Sequence, residues 1–457
     1  MKFVDRVRDF FTPTPIETKT SRVAAMTARL NLGRPVWPQV DYRYLIQEAW
    51  AKNVIVNAAI RKLADAAAAA PILLQSRTAA GRDWIDVKSG SLHSLLARPN
   101  PQTTWRQFVR QAVCSYQVTG NVFFEAVAEG VTSSAKRENG TPVREFDTTM
   151  AHAPVELYIW QTQRTKIVPS ADGFPAAYEY DVNGIRRRFA VQPIRSAIWQ
   201  WRAVSLGATS AGDWYGESPL LAAMRSVEVF NEERNYAKSL LQNQAVPSGF
   251  LTTAEDRRLS DTQYAKLKQE LSEQYQGASN AGKPMLLEGG LTWQPSGISP
   301  RDLELQTIGD TAARQIALAL GVPPQLLGIP GDSTYSNFQE ANYAFARNTV
   351  LPTVNDLLEE LLLWLEPWFS TGNTRYRLIV DEDAIHAIST DRTQLWQRVE
   401  ASTVLTTNEK REAMGFEALP GAEHDEVLVD AGKTPLRAAI QIDEEDDDHE
   451  HDEGRVQ

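Results

Sequence analysis

The octapeptide GASNAGKP, Gly277 to Pro284, keeps the spacing of a phosphate-binding loop, G-x-x-x-x-G-K, up to its last place. In that motif backbone N–H groups close around the phosphate, the lysine neutralises it, and a Ser or Thr hydroxyl holds magnesium. Here the last place is Pro284, which has no hydroxyl. The context is also reversed, because a phosphate loop runs from strand to helix whereas this segment reads as helix to strand. A loop closing a small hairpin domain is the better reading. Metal and acid–base chemistry find no footing either. The six histidines, His93, His152, His386, His424, His449 and His451, never fall at ligand spacing within a helix. Asp381, Glu382 and Asp383 end a predicted strand, where polar residues are ordinary. Cys114 lies mid-helix beside Val113 and Tyr116, the setting of a small core residue. No G-x-S-x-G elbow is present. No catalytic residue, metal ligand or cofactor is expected.

A different stretch stands out for its backbone chemistry. GVPPQLLGIPGDSTYSN, residues 321–337, holds three prolines and three glycines in seventeen residues. Two predicted helices flank it. The one before starts at Ser299 and Pro300 and stops at Gly321 and Pro323, and the one after starts at a capping-box pattern, Asn337 with Glu340. Pro352 should kink that second helix by removing a backbone donor. Its later part spaces Val354, Leu357, Leu358, Leu361, Leu362 and Leu365 by three and four residues.

The remaining elements follow from similar signals. Residues 44–69 read as one Ala-rich helix ended by Pro71. PILLQSR and the residues around Trp84 read as strands joined by the AAGR turn. Thr103 or Thr104 caps a helix that stops at Gly120. NVFFEAVA, ELYIWQT, AAYEYDV and SAIWQW supply short β segments. Ser218 and Pro219 open a rod of about 26 residues, roughly 40 Å long. Residues 247–298 form an insertion with a short helix capped by Ser260 and Gln263, then PMLLEGGLTW, read as a hairpin turning at Glu-Gly-Gly. RYRLIVD is a strand, and residues 388–416 contain two short helices. The fold class is therefore α+β.

Composition bounds the function. At roughly 150 residues per domain, 457 residues suggest about three structural units. No apolar run reaches the ~18 residues of a membrane span. The amphipathic MKFVDRVRDFF carries Asp5 and Asp9 and lacks a cleavage site, so no signal peptide is expected. A single cysteine permits no internal disulfide and is compatible with a reducing cytoplasm. Of the net charge of −11, nine carboxylates fall within residues 443–453, DEEDDDHEHDE. This is a solvated tail on a nearly neutral body. No basic stripe exists to anchor DNA phosphates tightly.

The order of parts resembles the portal proteins of tailed bacteriophages, of the Hong Kong-type siphophage family. The matching pieces include SLHSLLARPNPQTTWRQF, TGNVFFEAV, YGESPLLAA, LQNQAVPSGFL, YQGASNAGKPMLLEGG, ARQIALALGVPPQLLG, YSNFQEANYAF, VLPTVNDLLEELL and TTNEKREAMGF, within roughly residues 40–420. The resemblance implies a portal fold with an α/β wing, a two-helix stem, a small α/β clip, a long kinked helix and a small helical crown. Carried onto this chain, it gives an N-terminal arm over 1–40, wing over 41–216, stem helices over 217–245 and 299–321, and clip over 246–298. A tunnel loop over 322–337, kinked helix and wing strand over 338–383, crown over 384–430 and acidic tail over 431–457 complete it.

The implied function is a ring, dodecameric in the virion, at one capsid vertex, through which double-stranded DNA passes without sequence specificity. The implied partners are the terminase large subunit, a head–tail adaptor and a major capsid or scaffolding protein, with assembly in the host cytoplasm and no membrane. Ser333, Thr334, Tyr335, Ser336 and Asn337 would line the channel. Gln263, Lys266, Lys268, Glu270, Lys283 and Glu288 would offer the docking surface on the clip. A portal-like component of a gene-transfer particle would use the same physics. A nucleotide-dependent motor, or a portal fused to a maturation enzyme, would need chemistry that the residues above do not supply.

The acidic tail generates a direct prediction. So charged a segment has no apolar surface to bury, so truncation after Ile442 should leave the thermal midpoint within about a degree or two of the full chain, on a scale where ~1 kcal/mol shifts it by ~2 °C or more. Differential scanning calorimetry of the two chains measures this.

Overall fold

Asn53 divides the first helical stretch, expected to run unbroken over residues 44–69. A short helical segment, Tyr42–Tyr44, and a wide π-type turn, Leu45–Trp50, precede the break, and α1 spans Val54–Ala69. The cause is local. The Asn53 carboxamide accepts from the N–H groups of Ile55 and Val56 and so caps a new helix. The structure, a computed structural model, describes residues 41–77, 84–131, 133–138, 140–146, 152–171, 174–206, 214–242, 249–253, 260–270, 291–295, 305–331, 335–370, 374–385, 396–414, 418–429 and 434–435.

Three sheets follow in the first half. Strands β1 (Ile72–Arg77) and β2 (Ile85–Asp86) pair antiparallel, and the AAGR turn expected between them lies outside the described residues. Helix α2 (Ser91–Ala97) was not expected; α3 (Trp105–Thr119) was, and the Thr104–Gln107 capping box and left-handed Gly120 close its ends. Strand β3 (Asn121–Val127) is buried along nearly its whole length. After it come β4 (Ser133–Glu138), β5 (Thr141–Phe146), β6 (Glu156–Trp160), β7 (Thr165–Pro169), β8 (Pro175–Val182), β9 (Ile185–Ala190) and β10 (Ile198–Arg202). One sheet runs β10-β3-β6 and another β4-β5-β9-β8-β7, with β5 and β9 parallel. Late in the chain β13 (Arg375–Val380) returns to pair with β1.

Two glycine backbones cross where the sheets hand over to long helices. A Cβ on Gly120 would lie 2.4 Å from the Glu217 carbonyl, and one on Gly216 would lie 2.3 Å from the Gly120 oxygen. Beside them the Asn121 carboxamide accepts from the Gly216 N–H at 2.7 Å and donates to the Gly216 oxygen at 2.9 Å. The Ser218 side chain then accepts from the Leu220 N–H and donates to the Val118 oxygen. Ser218 and Pro219 thus open the rod as expected: one turn of 3-10 helix, then α4 (Met224–Gln242).

Beyond α4 lie β11 (Gly249–Thr253), α5 (Asp261–Glu270) and β12 (Leu291–Pro295). Strand β12 pairs antiparallel with β11, a strand the sequence did not flag. The expected Glu-Gly-Gly turn and the Ser299–Pro300 start lie outside the described residues. Helix α6 (Leu305–Ala319) packs antiparallel on α4, with Ser226 donating to Gln315 and Gly309 admitting Glu233.

The long helix consists of α7 (Tyr335–Phe345), a wide turn (Ala346–Val350) and α8 (Leu351–Phe369). Pro352 explains the wide turn. It lacks an N–H and its ring crowds the preceding turn, and the ladder responds with a Leu351 N–H that reaches back to the Ala346 oxygen. Helix α8 then lies along β10. Trp201 Nε1 donates to Asp356 Oδ2 and Trp199 Nε1 to Glu360 Oε2, each at 2.8 Å. The two spacings match, since i, i+2 on a strand spans ~6.6 Å and i, i+4 on a helix ~6 Å. Further along, Trp364 donates to the Ser196 oxygen, and Arg195, at φ 59°, donates to that of Pro367.

Residues 396–400 are helical and α9 (Thr407–Ala413) carries a Thr406–Glu409 capping box, which accounts for both short helices expected there. Strands β14 (Leu428–Val429) and β15 (Thr434–Pro435) form an unexpected final pair. Among the described residues no helix is long and apolar enough to cross a membrane.

The Trp–carboxylate seam is testable. Trp201 is 1% exposed, so Asp356→Ala should leave a buried N–H unpaired and cost about 1–3 kcal/mol in urea unfolding. Glu360 behaves differently, because burial raises its carboxyl above the ordinary 4.5. A raised carboxyl contributes stability that is fully present below the unfolded pKa and lost as pH climbs through the folded one. Glu360→Gln keeps an acceptor for Trp199 without ionising, so its stability relative to the native chain should improve as pH rises from about 4 to about 7.

Candidate functional site

The stretch after α6 is pinned rather than loose. Gly321 is left-handed at φ 66°, its N–H bonds the Leu318 oxygen, and the Val322 N–H reaches the Ala317 oxygen. This pair of bonds is a Schellman closure, with Val322 buried beneath it. Seven residues on the same device recurs: Gly328 is left-handed, its N–H bonds Gln325, and Ile329 reaches back to Pro324. Between them Pro324–Leu327 form a 3-10 turn whose Leu326 is buried.

Two side chains that sequence reasoning missed hold this arrangement. Thr349, in the wide turn, donates to the Gly321 oxygen at 2.7 Å, and Arg314 of α6 donates to the Pro330 oxygen. An added Cβ at Gly321 would stand 3.0 Å from the Thr349 hydroxyl, so glycine serves both the turn and the approach. No local pattern marks either residue, because both contacts join elements far apart in sequence.

The five proposed channel residues are placed unevenly. Ser333 and Thr334 lie outside the described residues. Tyr335 begins α7, whereas the capping pattern put the start after Asn337. The expected cap is thus a first-turn residue. No glycine or proline lies between Gly331 and Asn337, so nothing in the sequence there holds the helix back to an Asn cap. Residues 336–340 are all exposed, including Ser336, Asn337 and Phe338. Residues 301–349 carry five acidic and three basic side chains. Both basic residues described are engaged, Arg314 as above and Arg347 with the Tyr343 hydroxyl at 2.6 Å.

On α5 the Gln263 side chain accepts from the Ser260 N–H, so it closes the cap, and Lys266 is exposed. Lys268 and Glu270 belong to the same helix, while Lys283 and Glu288, with the phosphate-loop-like octapeptide, lie outside the described residues. Among the described residues no group of three His, Cys, Asp or Glu side chains could hold a metal. Asp381 ends β13 with its N–H on the Pro71 oxygen. Burial pushes the Cys114 thiol up to about 11, so it stays protonated against the core.

Comparison with known proteins follows the same outline. The phage portal protein family matches residues 54–415. An uncharacterized protein of Rickettsia bellii is 32% identical over 378 residues, 81% of this chain and 88% of that one. The portal protein of Enterobacteria phage HK97 is 24% identical over 210 residues, 46% of this chain and 49% of that protein. Among solved structures, the neck of a native gene transfer agent particle computed with C12 symmetry contains a similar chain. It is 34% identical, and the match covers 88% of this chain and 99% of that one with a TM-score of 0.60. The chain belongs to the phage portal protein family.

Proposed function

We propose that this portal protein is one subunit of a closed ring, twelve in the particle, set at a capsid vertex, with double-stranded DNA packaged and released through its centre. The observation that carries this reading is the short passage between α6 and α7. It is held by buried turns on one side and presents exposed Ser336 and Asn337 on the other, and both described cations nearby are engaged. A surface over which DNA slides should lack free phosphate anchors, since each neutralised phosphate adds salt-sensitive affinity. Ser333, Thr334 and Tyr335 complete the channel segment in this reading. The C12 symmetry of the gene transfer agent neck supports the ring number.

In this assignment α4 and α6 form the stem, the β11–β12 pair with α5 forms the clip, and the sheets of the first half with α8 form the wing. Residues 384–430 are the crown. The clip, with Gln263, Lys266, Lys268, Glu270, Lys283 and Glu288, receives the terminase and later the head–tail adaptor. The chain itself performs no reaction. The extent of the match to a gene transfer agent neck favours a second reading of the particle type, with the channel unchanged.

Negative-stain microscopy of the purified chain should show rings with a central hole; only monomers at every concentration and salt would refute the assignment. Ser336→Lys with Asn337→Lys should leave ring yield unchanged but slow DNA packaging several-fold at low salt, with recovery as salt screens the added phosphate contacts. A packaging rate equal to wild type at every ionic strength would remove these residues from the channel.

A further inference from the structure

An open groove of about 950 Å³ runs between α1 and the segment made of α7 and the wide turn. Its α1 side is built from small residues, Ala58, Ala66 and Ala69, and its far wall includes Phe345 and Val350. Val54, at one end, is 63% exposed. Small side chains let a second helix approach closely, because the distance between helix axes follows the side chains at the contact. The groove also holds unused charge. Arg61 and Lys62 line it, and its one carboxylate, Asp65, is already bound by Arg110. Neither Arg61 nor Lys62 has an ion-pair partner among the described residues.

A complementary ridge exists elsewhere on the chain. Helix α8 gives its leucine face to the core and its Asp356, Glu360 and Trp364 face to β10 and the turn before it. The remaining arc carries Glu359 and Leu363. Leu363 is 63% exposed, in contrast to the other leucines of α8. Glu359 is exposed and has no ion-pair partner among the described residues. The ridge cannot enter its own groove, since the wide turn at the base of α8 is part of that groove's wall.

We infer that the groove of one subunit receives the Glu359–Leu363 ridge of a neighbouring copy, which makes this pair of surfaces a ring-closing contact. The spacings agree. Ala58 and Lys62 are four apart on α1, as Glu359 and Leu363 are on α8, so a helix laid antiparallel along α1 sets leucine on alanine while glutamate meets lysine. Arg61 adds a second cation to the same carboxylate. Because groove and ridge are different surfaces of one chain, the contact is heterologous, and repetition of such a contact closes into a ring when the rotation permits. The inference rests on the ring proposed above and specifies which faces meet.

Charge reversal tests it. Glu359→Lys, and separately Arg61→Glu with Lys62→Glu, should each raise the concentration for half-maximal ring assembly by at least about tenfold, because like charges at an interface cost several kcal/mol. Combining all three should restore rings. Thermal midpoints of the dissociated chains, equal to wild type, separate assembly from folding. In a Cys114→Ala background, Ala58→Cys with Leu363→Cys should give an oxidised ladder of multimers that neither single cysteine gives. Rings at wild-type concentration in the single reversals, no rescue in the combination, or no ladder would overturn the pairing while leaving the ring intact. A native chain that never leaves the monomer would overturn both.

Discussion

The crossing of the Gly120 and Gly216 backbones is the constraint on which the rest of the molecule depends. At this point the chain leaving α3 and the chain about to become α4 come closer than any Cβ permits. Asn121 makes the approach specific by pairing with both polar groups of Gly216, as a strand neighbour would, while Tyr42 and Gln200 use its remaining capacity. A buried carboxamide with every group satisfied favours one geometry strongly, since any slip leaves polar atoms unpaired. The direction of α4 relative to the sheets is set here, within four residues of the 3-10 turn at Pro219 that opens it.

A second set of contacts fixes the other support of the segment between α6 and α7. The seam between β10 and α8 locks the long helix to the same sheet that carries Asn121, through β3. The segment between α6 and α7 is therefore suspended between two bodies referred to one frame. Besides the buried Val322, Leu326 and Ile329, two side-chain hydrogen bonds hold its described part, Thr349 to Gly321 at one end and Arg314 to Pro330 at the other. Position comes from the supports, and the passage itself needs only turns that glycine and proline dictate.

Much of this frame was legible in the sequence because its signals are local. Thr104 with Gln107, Ser218 with Pro219, Ser260 with Gln263 and Thr406 with Glu409 are caps written within four residues, and each forms. What escaped was written across distance. Strands β4 and β9, SSAKRE and IRRRFA, were not among the expected strands, because their charges answer one another between strands: Arg188 binds Glu138, Glu145 and Glu179. Asn53 passed for a helix interior although its capping bonds to Ile55 and Val56 are local, because an asparagine within an Ala-rich run carries no other sign of a break; its amide donates to Asn231, far along the chain. The start of α7 was misplaced by three residues for the opposite reason, since a good capping pattern existed and the helix did not use it. The portal family and α+β class were readable, whereas the side chains that hold the segment between α6 and α7 were not.

The wide turn at Ala346–Val350 has a consequence for how this helix tolerates change in length. Buried positions follow one another at intervals of four, five and four residues, Ala341, Phe345, Val350 and Val354, so the apolar stripe stays in line only because one extra residue is absorbed there. Removing one residue from the turn would restore ordinary winding with the stripe still in line, whereas removing one from α7 after Asn337 would rotate everything before it by about 100° relative to the core. Ser336 and Asn337 would then point to a new azimuth although their own sequence was untouched. A one-residue gap in α7 is therefore a change of aim for the residues before it, while the same gap in the wide turn leaves their aim unchanged.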